Sequence, residues 1–220
     1  MTLNQYIDHT ILKANAVEAD IRQLCAEARE HQFFSVCVNS AWVPTARALL
    51  VGSPVKVCAV VGFPLGAMSP AAKVFEAQQA VADGADEIDM VINVGWLKDG
   101  QNDAVRDEIR AIKAAVGARV LKVIIETCYL SDAEKVQACT LAVDAGAEYV
   151  KTSTGFGSGG ATVDDVRLML ETVKGRALVK ASGGVRDAES ARQYVALGVM
   201  RLGTSNGVKI VAGEVATGGY

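Results

Sequence analysis

The sequence predicts a (β/α)8 TIM barrel, and three observations carry that expectation. Eight short runs rich in Val and Ile alternate with longer amphipathic stretches across 220 residues, the pattern of repeated strand–helix units with a parallel sheet. The runs are apolar without regular polar alternation, as strands covered on both faces should be. Gly84, Gly117, Gly146, Gly175 and Gly198 each close a helical stretch just before the next run, where a residue without Cβ suits the left-handed turn that ends a helix. The rival arrangement, an open doubly wound sheet, usually carries GxGxxG after its first strand, and none stands there.

Taken in order, the units are a strand at 6–10 and a helix at 17–31, then 34–39 with 41–50, and 55–62 with 70–83. Ser69 before Pro70 marks the start of that third helix, an N-cap followed by proline in the first turn. The fourth and fifth units pair 87–92 with 103–116 and 120–126 with 132–145; Ser131 and Glu134 have the spacing of a capping box. The last three pair 149–153 with 163–174, announced by Thr162, then 177–182 with 188–197, and 199–204 with 206–212. No linker or low-complexity tract interrupts the series, so residues 1–220 read as a single (β/α)8 barrel catalytic domain, of ordinary globular composition and at the short end for this fold.

Charge and cysteine content narrow the function classes. With 22 Lys+Arg against 25 Asp+Glu, the net charge of -3 argues against nucleic acid as a partner held by bulk positive charge. No apolar run approaches the ~18 residues of a membrane span, and residues 1–8 carry no apolar signal-peptide core; a cytoplasmic protein with no membrane partner is expected. Cys25, Cys37, Cys58, Cys128 and Cys139 form no CxxC pair and only His9 and His31 stand beside them, so free thiols and no metal site are expected. Cys58 and Cys139 read as core filler. His9, next to Asp8 on a strand, points to the opposite face and reads as structural. Trp42 and Trp96 read as packing residues.

Counting five residues on from each helix-closing glycine reaches Asp89, Lys122, Lys151, Lys180 and Gly203. A shared offset implies a similar height and a shared inward direction on neighbouring strands, adjusted by barrel shear. Four ionisable side chains would then meet inside the barrel toward the carboxyl ends of its strands, where barrel enzymes do their chemistry. One lysine in an apolar strand can snorkel outward; three lysines and an aspartate at one offset are too costly to bury without purpose. A lysine attacks a carbonyl only as the neutral amine. A second ammonium ~4 Å away, at an effective dielectric of ~20, costs about 4 kcal/mol, roughly three pKa units, and so poises one amine near neutrality. The imine it forms is an electron sink, with Asp89 available to move protons.

A phosphate handle is indicated separately. Gly183-Gly184 follows the seventh strand and Gly203-Thr204-Ser205 lies at the eighth, the loops where barrels often bind phosphate through backbone N–H groups. Ser182, Ser205 and Arg186 are further donors, and residues 155–160 form a candidate third wall. Each glycine taken alone is also explained by a tight turn.

The ordered set YIDHT with Asp8, SVCVN with Cys37, DEIDMVIN with Asp89, LKVIIET with Lys122, KTSTGF from Lys151, KASGGVR from Lys180 and RLGTS with Gly203 resembles the deoxyribose-phosphate aldolases from residue 8 to 205. The resemblance implies that Lys151 forms the Schiff base, Lys180 lowers the pKa of that nucleophile, Asp89 relays protons and Lys122 hydrogen-bonds near it. It puts Cys37, Asp8 and Thr154 beside the substrate, and assigns phosphate binding to loops matched by Gly155, Gly183, Gly184, Gly203 and Ser205. The partners implied are a sugar phosphate and an aldehyde, with no cofactor. The nearest alternative is another imine-forming sugar-phosphate aldolase. Many relatives form dimers, which makes a homodimer an expectation of the resemblance. Some longer relatives have lysine where this chain has Phe156, and some use a C-terminal tyrosine, matched here by Tyr220.

Overall fold

The computed structural model describes residues 2–214. Strands β1 (Ile7–Ile11), β2 (Ser35–Asn39), β3 (Lys56–Val61), β4 (Glu87–Val91), β5 (Val120–Ile124), β6 (Tyr149–Lys151), β7 (Leu178–Ser182) and β8 (Arg201–Thr204) pair in parallel, in chain order, and β8 closes on β1. The (β/α)8 barrel expected from the sequence is thus observed. Helices α1 (Glu18–Glu30), α2 (Val43–Leu49), α3 (Pro70–Ala82), α4 (Val94–Lys98), α5 (Asn102–Val116), α6 (Asp132–Asp144), α7 (Val163–Val173), α8 (Ala188–Leu197) and α9 (Gly207–Ala212) follow the strands around it.

The helix starts use the side chains the sequence offered. The Ser69 side chain accepts from Ala72 N at 3.4 Å. Glu134 N donates to Ser131 Oγ while Ser131 N donates to Glu134 at 2.7 Å, the reciprocal capping box. Asp165 N donates to the Thr162 hydroxyl at 3.1 Å. Two segments depart from expectation. Residues 41–50 begin as a 3-10 turn over Ser40–Trp42, and only Val43–Leu49 is α-helical. The extra helix α4 was not expected, because five residues are too short to show a period; Asn93 caps it by accepting from Trp96 N at 3.1 Å.

Strand side chains sort by face. Val36, Val38, Val57, Ala59, Val61, Ile88, Met90, Leu121, Val123, Val150, Val179 and Leu202 are buried in the main apolar cluster between sheet and helices. A separate interior cluster holds Leu12, Cys37, Cys58 and Val60. The alternate positions, among them Asp8, Asp89, Lys122, Lys151 and Lys180, turn into the barrel, which is why strands that look uniformly apolar carry isolated charges. Among the described residues no helix is long and apolar enough to cross a membrane.

Candidate active site

Asp89, from β4, is the centre of the interior. Its Oδ1 accepts from Lys122 Nζ at 2.8 Å and its Oδ2 from both Lys151 Nζ at 2.9 Å and Lys180 Nζ at 2.8 Å. The four ionisable side chains that share the glycine offset therefore do meet in the barrel interior. Their heights differ by the shear of the barrel: Asp89 is directly opposite Lys122 and Lys151 opposite Lys180, but Lys122 pairs with Tyr149, two residues before Lys151. Lys122 thus reaches a lower layer, where Glu87 meets it at 2.6 Å.

That lower layer was missed from the sequence. Arg201 binds Glu87 at 2.8 Å and Asp8 at 2.9 Å, and lies against the Phe34 ring with its guanidinium carbon 3.2 Å from the centroid. Asp8 also holds Lys180, at 2.5 Å, and accepts from the Ser35 hydroxyl at 2.7 Å. The signal was available: Glu87 and Arg201 each lie two residues before a position already read as inward, Asp89 and Gly203, on the same strand face. The expectation of lysines opposed by a single carboxylate is corrected accordingly. Among the described residues, the cations Lys122, Lys151, Lys180 and Arg201 share the interior with Asp8, Glu87 and Asp89, because a charge deep in a barrel persists only when it is paired.

The titration behaviour follows. Burial opposes the charge on Asp89, but Lys122, Lys151 and Lys180 outweigh it and hold the carboxyl well below its ordinary range. Burial likewise opposes ionised Asp8, and Lys180, Arg201 and Lys122 overcome it. Lys180 is pushed up rather than down: burial would lower it, and Asp8 and Asp89 prevail. Lys122 is raised for the same reason, with Asp89, Cys58 and Glu87 prevailing over burial. Lys180 is accordingly a fixed ammonium sharing one carboxylate oxygen with Lys151.

Cys37 faces this cluster from β2 and is buried. Cys58, read as filler, is not: it donates to Asp89 at 3.1 Å and accepts from Lys122 at 3.4 Å. Nothing in its run marked it as different from the apolar residues beside it. Cys139 does pack in the core, and burial pushes its thiol up to about 12. His9 points out of the barrel to Glu27 on α1 at 2.6 Å, as its strand position implied.

Above Lys151 the backbone turns into three interlocked loops. Thr154 donates its N–H at 3.1 Å, and its hydroxyl at short range, to Glu126, and the same hydroxyl accepts from Phe156 N at 3.0 Å. Glu126 was overlooked although it lies inside LKVIIET. It is buried, its backbone is left-handed at φ 56° and ψ 69°, and burial raises its carboxyl despite Thr154 and Lys151; a non-glycine residue in this region is uncommon and costs energy. Gly183 and Gly184 are both left-handed, at φ 78° and 80°. Ala161 N donates to the carbonyls of Ser182 and Gly183, and a Cβ on Gly160 would fall 2.1 Å from the Gly183 oxygen. The 155–160 run therefore packs against the loop after β7, as a third wall requires. Gly203 pairs with Asp8 and Ser182, and Ser205 follows it at an exposed position. Phe156 meets Phe63 edge-on, ring centroids 5.3 Å apart. Tyr220 lies outside the described residues.

Fold and site together define a (β/α)8 barrel with an amine-and-carboxylate interior suited to carbonyl chemistry. Residues 2–211 match the family model described as DeoC/LacD family aldolase, and the chain belongs to that family. It is 55% identical to the deoxyribose-phosphate aldolase of Streptococcus uberis and 57% identical to that of Deinococcus radiodurans, each over 100% of both chains. Among solved structures it resembles a putative deoxyribose-phosphate aldolase from Coccidioides immitis, with TM-score 0.94, 44% identity, and 96% of this chain and 84% of that one covered. It also resembles a tetrameric deoxyribose phosphate aldolase from Aeropyrum pernix, with TM-score 0.88, 32% identity, and 96% and 89% covered.

Proposed function

We infer that this chain is a deoxyribose-phosphate aldolase, reversibly cleaving 2-deoxy-D-ribose 5-phosphate to D-glyceraldehyde 3-phosphate and acetaldehyde through a Schiff base on Lys151. The observation that carries the assignment of roles is the shared Asp89 oxygen, which sets Lys151 beside an ammonium that does not yield its proton. Asp89 is the adjacent group through which a proton can leave Lys151.

Neutral Lys151 adds to the C1 aldehyde of the open-chain sugar, and loss of water leaves the protonated imine. Asp89, ionised because three amines hold its pKa down, receives the C3 hydroxyl proton through water. The C2–C3 electrons flow into the imine, the bond breaks, glyceraldehyde 3-phosphate departs and an enamine remains. Protonation at C2 and hydrolysis release acetaldehyde and the free amine. Lys122 fixes Asp89, while Asp8 keeps Lys180 charged. Cys37 and Thr154 flank the sugar. Gly155, Gly183, Gly184, Gly203 and Ser205 supply the backbone and hydroxyl donors for its phosphate.

The whole chain, 1–220, acts as one catalytic domain of a cytoplasmic homodimer whose ligands are this sugar phosphate and aldehyde. Borohydride added with substrate, followed by peptide mapping, tests the reading. A reduced adduct on Lys151 is expected. An adduct on Lys180 or Lys122 would overturn the roles, and no adduct with undiminished turnover would overturn the mechanism.

A further inference from the structure

Cys37 and Cys58 are register partners on adjacent strands, both fully buried and both turned into the barrel. Their sulfurs and an Asp89 oxygen lie within 4.8 Å of one another. Paired positions on neighbouring strands stand about 4.8 Å apart, inside the Cα separation of roughly 4.4–6.8 Å that a disulfide spans. The proposed aldol mechanism uses neither thiol for bond making.

The two thiols are unlike. The neighbouring Cys58 lowers Cys37 against the opposing effects of burial and of Asp89, with Lys180 and Lys151 adding positive charge nearby. Burial, Cys37 and Asp89 all push Cys58 up. One is thus the better thiolate and the other a protonated neighbour within reach, the arrangement of an attacking and a resolving cysteine.

We propose that Cys37 and Cys58 form a reversible oxidation site at which a hydroperoxide closes an intrachain disulfide and silences the catalytic cluster. The Cys37 sulfur attacks one peroxide oxygen; an S–O bond forms, the O–O bond breaks, and the departing alkoxide or hydroxide takes the Cys37 proton. Cys58, already donating to Asp89 at 3.1 Å, passes its proton to that carboxylate and attacks the sulfenic sulfur. The S–S bond forms, the S–O bond breaks, and hydroxide leaves with the proton from Asp89 as water. Two thiols are oxidised by two electrons and one peroxide is reduced to an alcohol, or to water, with a further water released. Asp89 then loses its contact from Cys58, and Lys122 loses its sulfur acceptor. A dithiol reductant reverses the change.

The silencing rests on the proposed aldolase role of Asp89; the cross-link does not. The folded full-length protein is treated with hydrogen peroxide, free thiols are blocked, and intact mass, peptide mapping and aldol cleavage are measured before and after dithiothreitol. Expected are loss of two hydrogens, a peptide linking positions 37 and 58, and loss of most activity, restored by dithiothreitol. In Cys58→Ser, or Cys58→Ala if serine prevents folding, Cys37 should proceed to sulfinic acid and dithiothreitol should not restore that variant's own starting activity. Oxidation confined to Cys128, which is half-buried, a 37–58 link formed only after unfolding, or a link that leaves turnover intact would each overturn the proposal. An untreated protein without aldol cleavage would instead count against the functional reading, since the link is read by mass.

Discussion

Lys122 and Lys180 inside the barrel and Lys73 outside it are all fully buried, yet the structure treats their charge in opposite ways. Lys73, on α3, passes beneath Gly62, meets Glu108 of α5 at 2.8 Å and donates to the Val91 carbonyl at 2.8 Å. Burial lowers Lys73 more than Glu108 raises it, and burial raises Glu108 more than Lys73 lowers it. For Lys122 and Lys180 the balance reverses, because each of these two faces two carboxylates. One ion pair does not repay the desolvation of both partners, whereas an alternating cluster does. A buried lysine is therefore not by itself a site; its partners decide whether it holds or sheds its proton.

The comparison can be broken most severely at Lys151. Lys151→Ala should reduce aldol cleavage on the order of 10^4-fold or more while the fold persists, measured by coupled assay alongside circular dichroism. Next, Asp89→Asn leaves Lys151 without its carboxylate and takes one of two from Lys122 and from Lys180; it should cost about 3–5 kcal/mol of stability, read by denaturant unfolding, with activity lost as well. Glu126→Ala, which strands the Thr154 N–H and hydroxyl, should cost about 1–3 kcal/mol in the same measurement and weaken turnover less than Lys151→Ala.

The Lys73–Glu108 pair should answer differently. Glu108→Gln leaves Lys73 able to deprotonate, and its folded pKa, already below the unfolded value, should fall further. The unfolded chain then binds more protons between those two values, so the variant's lost stability should return as pH rises from 7 toward 10. Melting temperatures that do not recover with pH would show that Lys73 stays charged. The interior carboxylates work in the other direction. Asp8, Glu87 and Asp89 have folded pKa values below their ordinary ones, so their contribution is complete above about pH 4–5 and declines as pH falls through the folded values. The smallest effect is expected for Lys73→Met with Glu108→Leu together. Replacing a buried pair by apolar side chains of similar volume is often neutral or stabilising, and cleavage should be unchanged.

Local chemistry made much of this legible. Helix-ending glycines, Ser and Thr caps and apolar runs act within a few residues, and they located the strands and the longer helices to within one or two residues. The same spacing reached Asp89, Lys122, Lys151 and Lys180, because a strand's alternation converts position along the chain into direction in space. α4 was too short to show periodicity. Cys58 sits in the same kind of apolar run as its neighbours. Glu126 takes its place from a left-handed turn that no residue type announces.

Periodicity and backbone preference set the order of the elements, the barrel they close into and which charges point inward. The tertiary structure alone decided which carboxylate each amine meets: shear drops Lys122 to Glu87, and closure of β8 on β1 brings Arg201 and Lys180 to Asp8. Those partners come from strands far apart in the chain. Coulomb energy and desolvation depend on distance and dielectric in space, which spacing along the sequence does not contain.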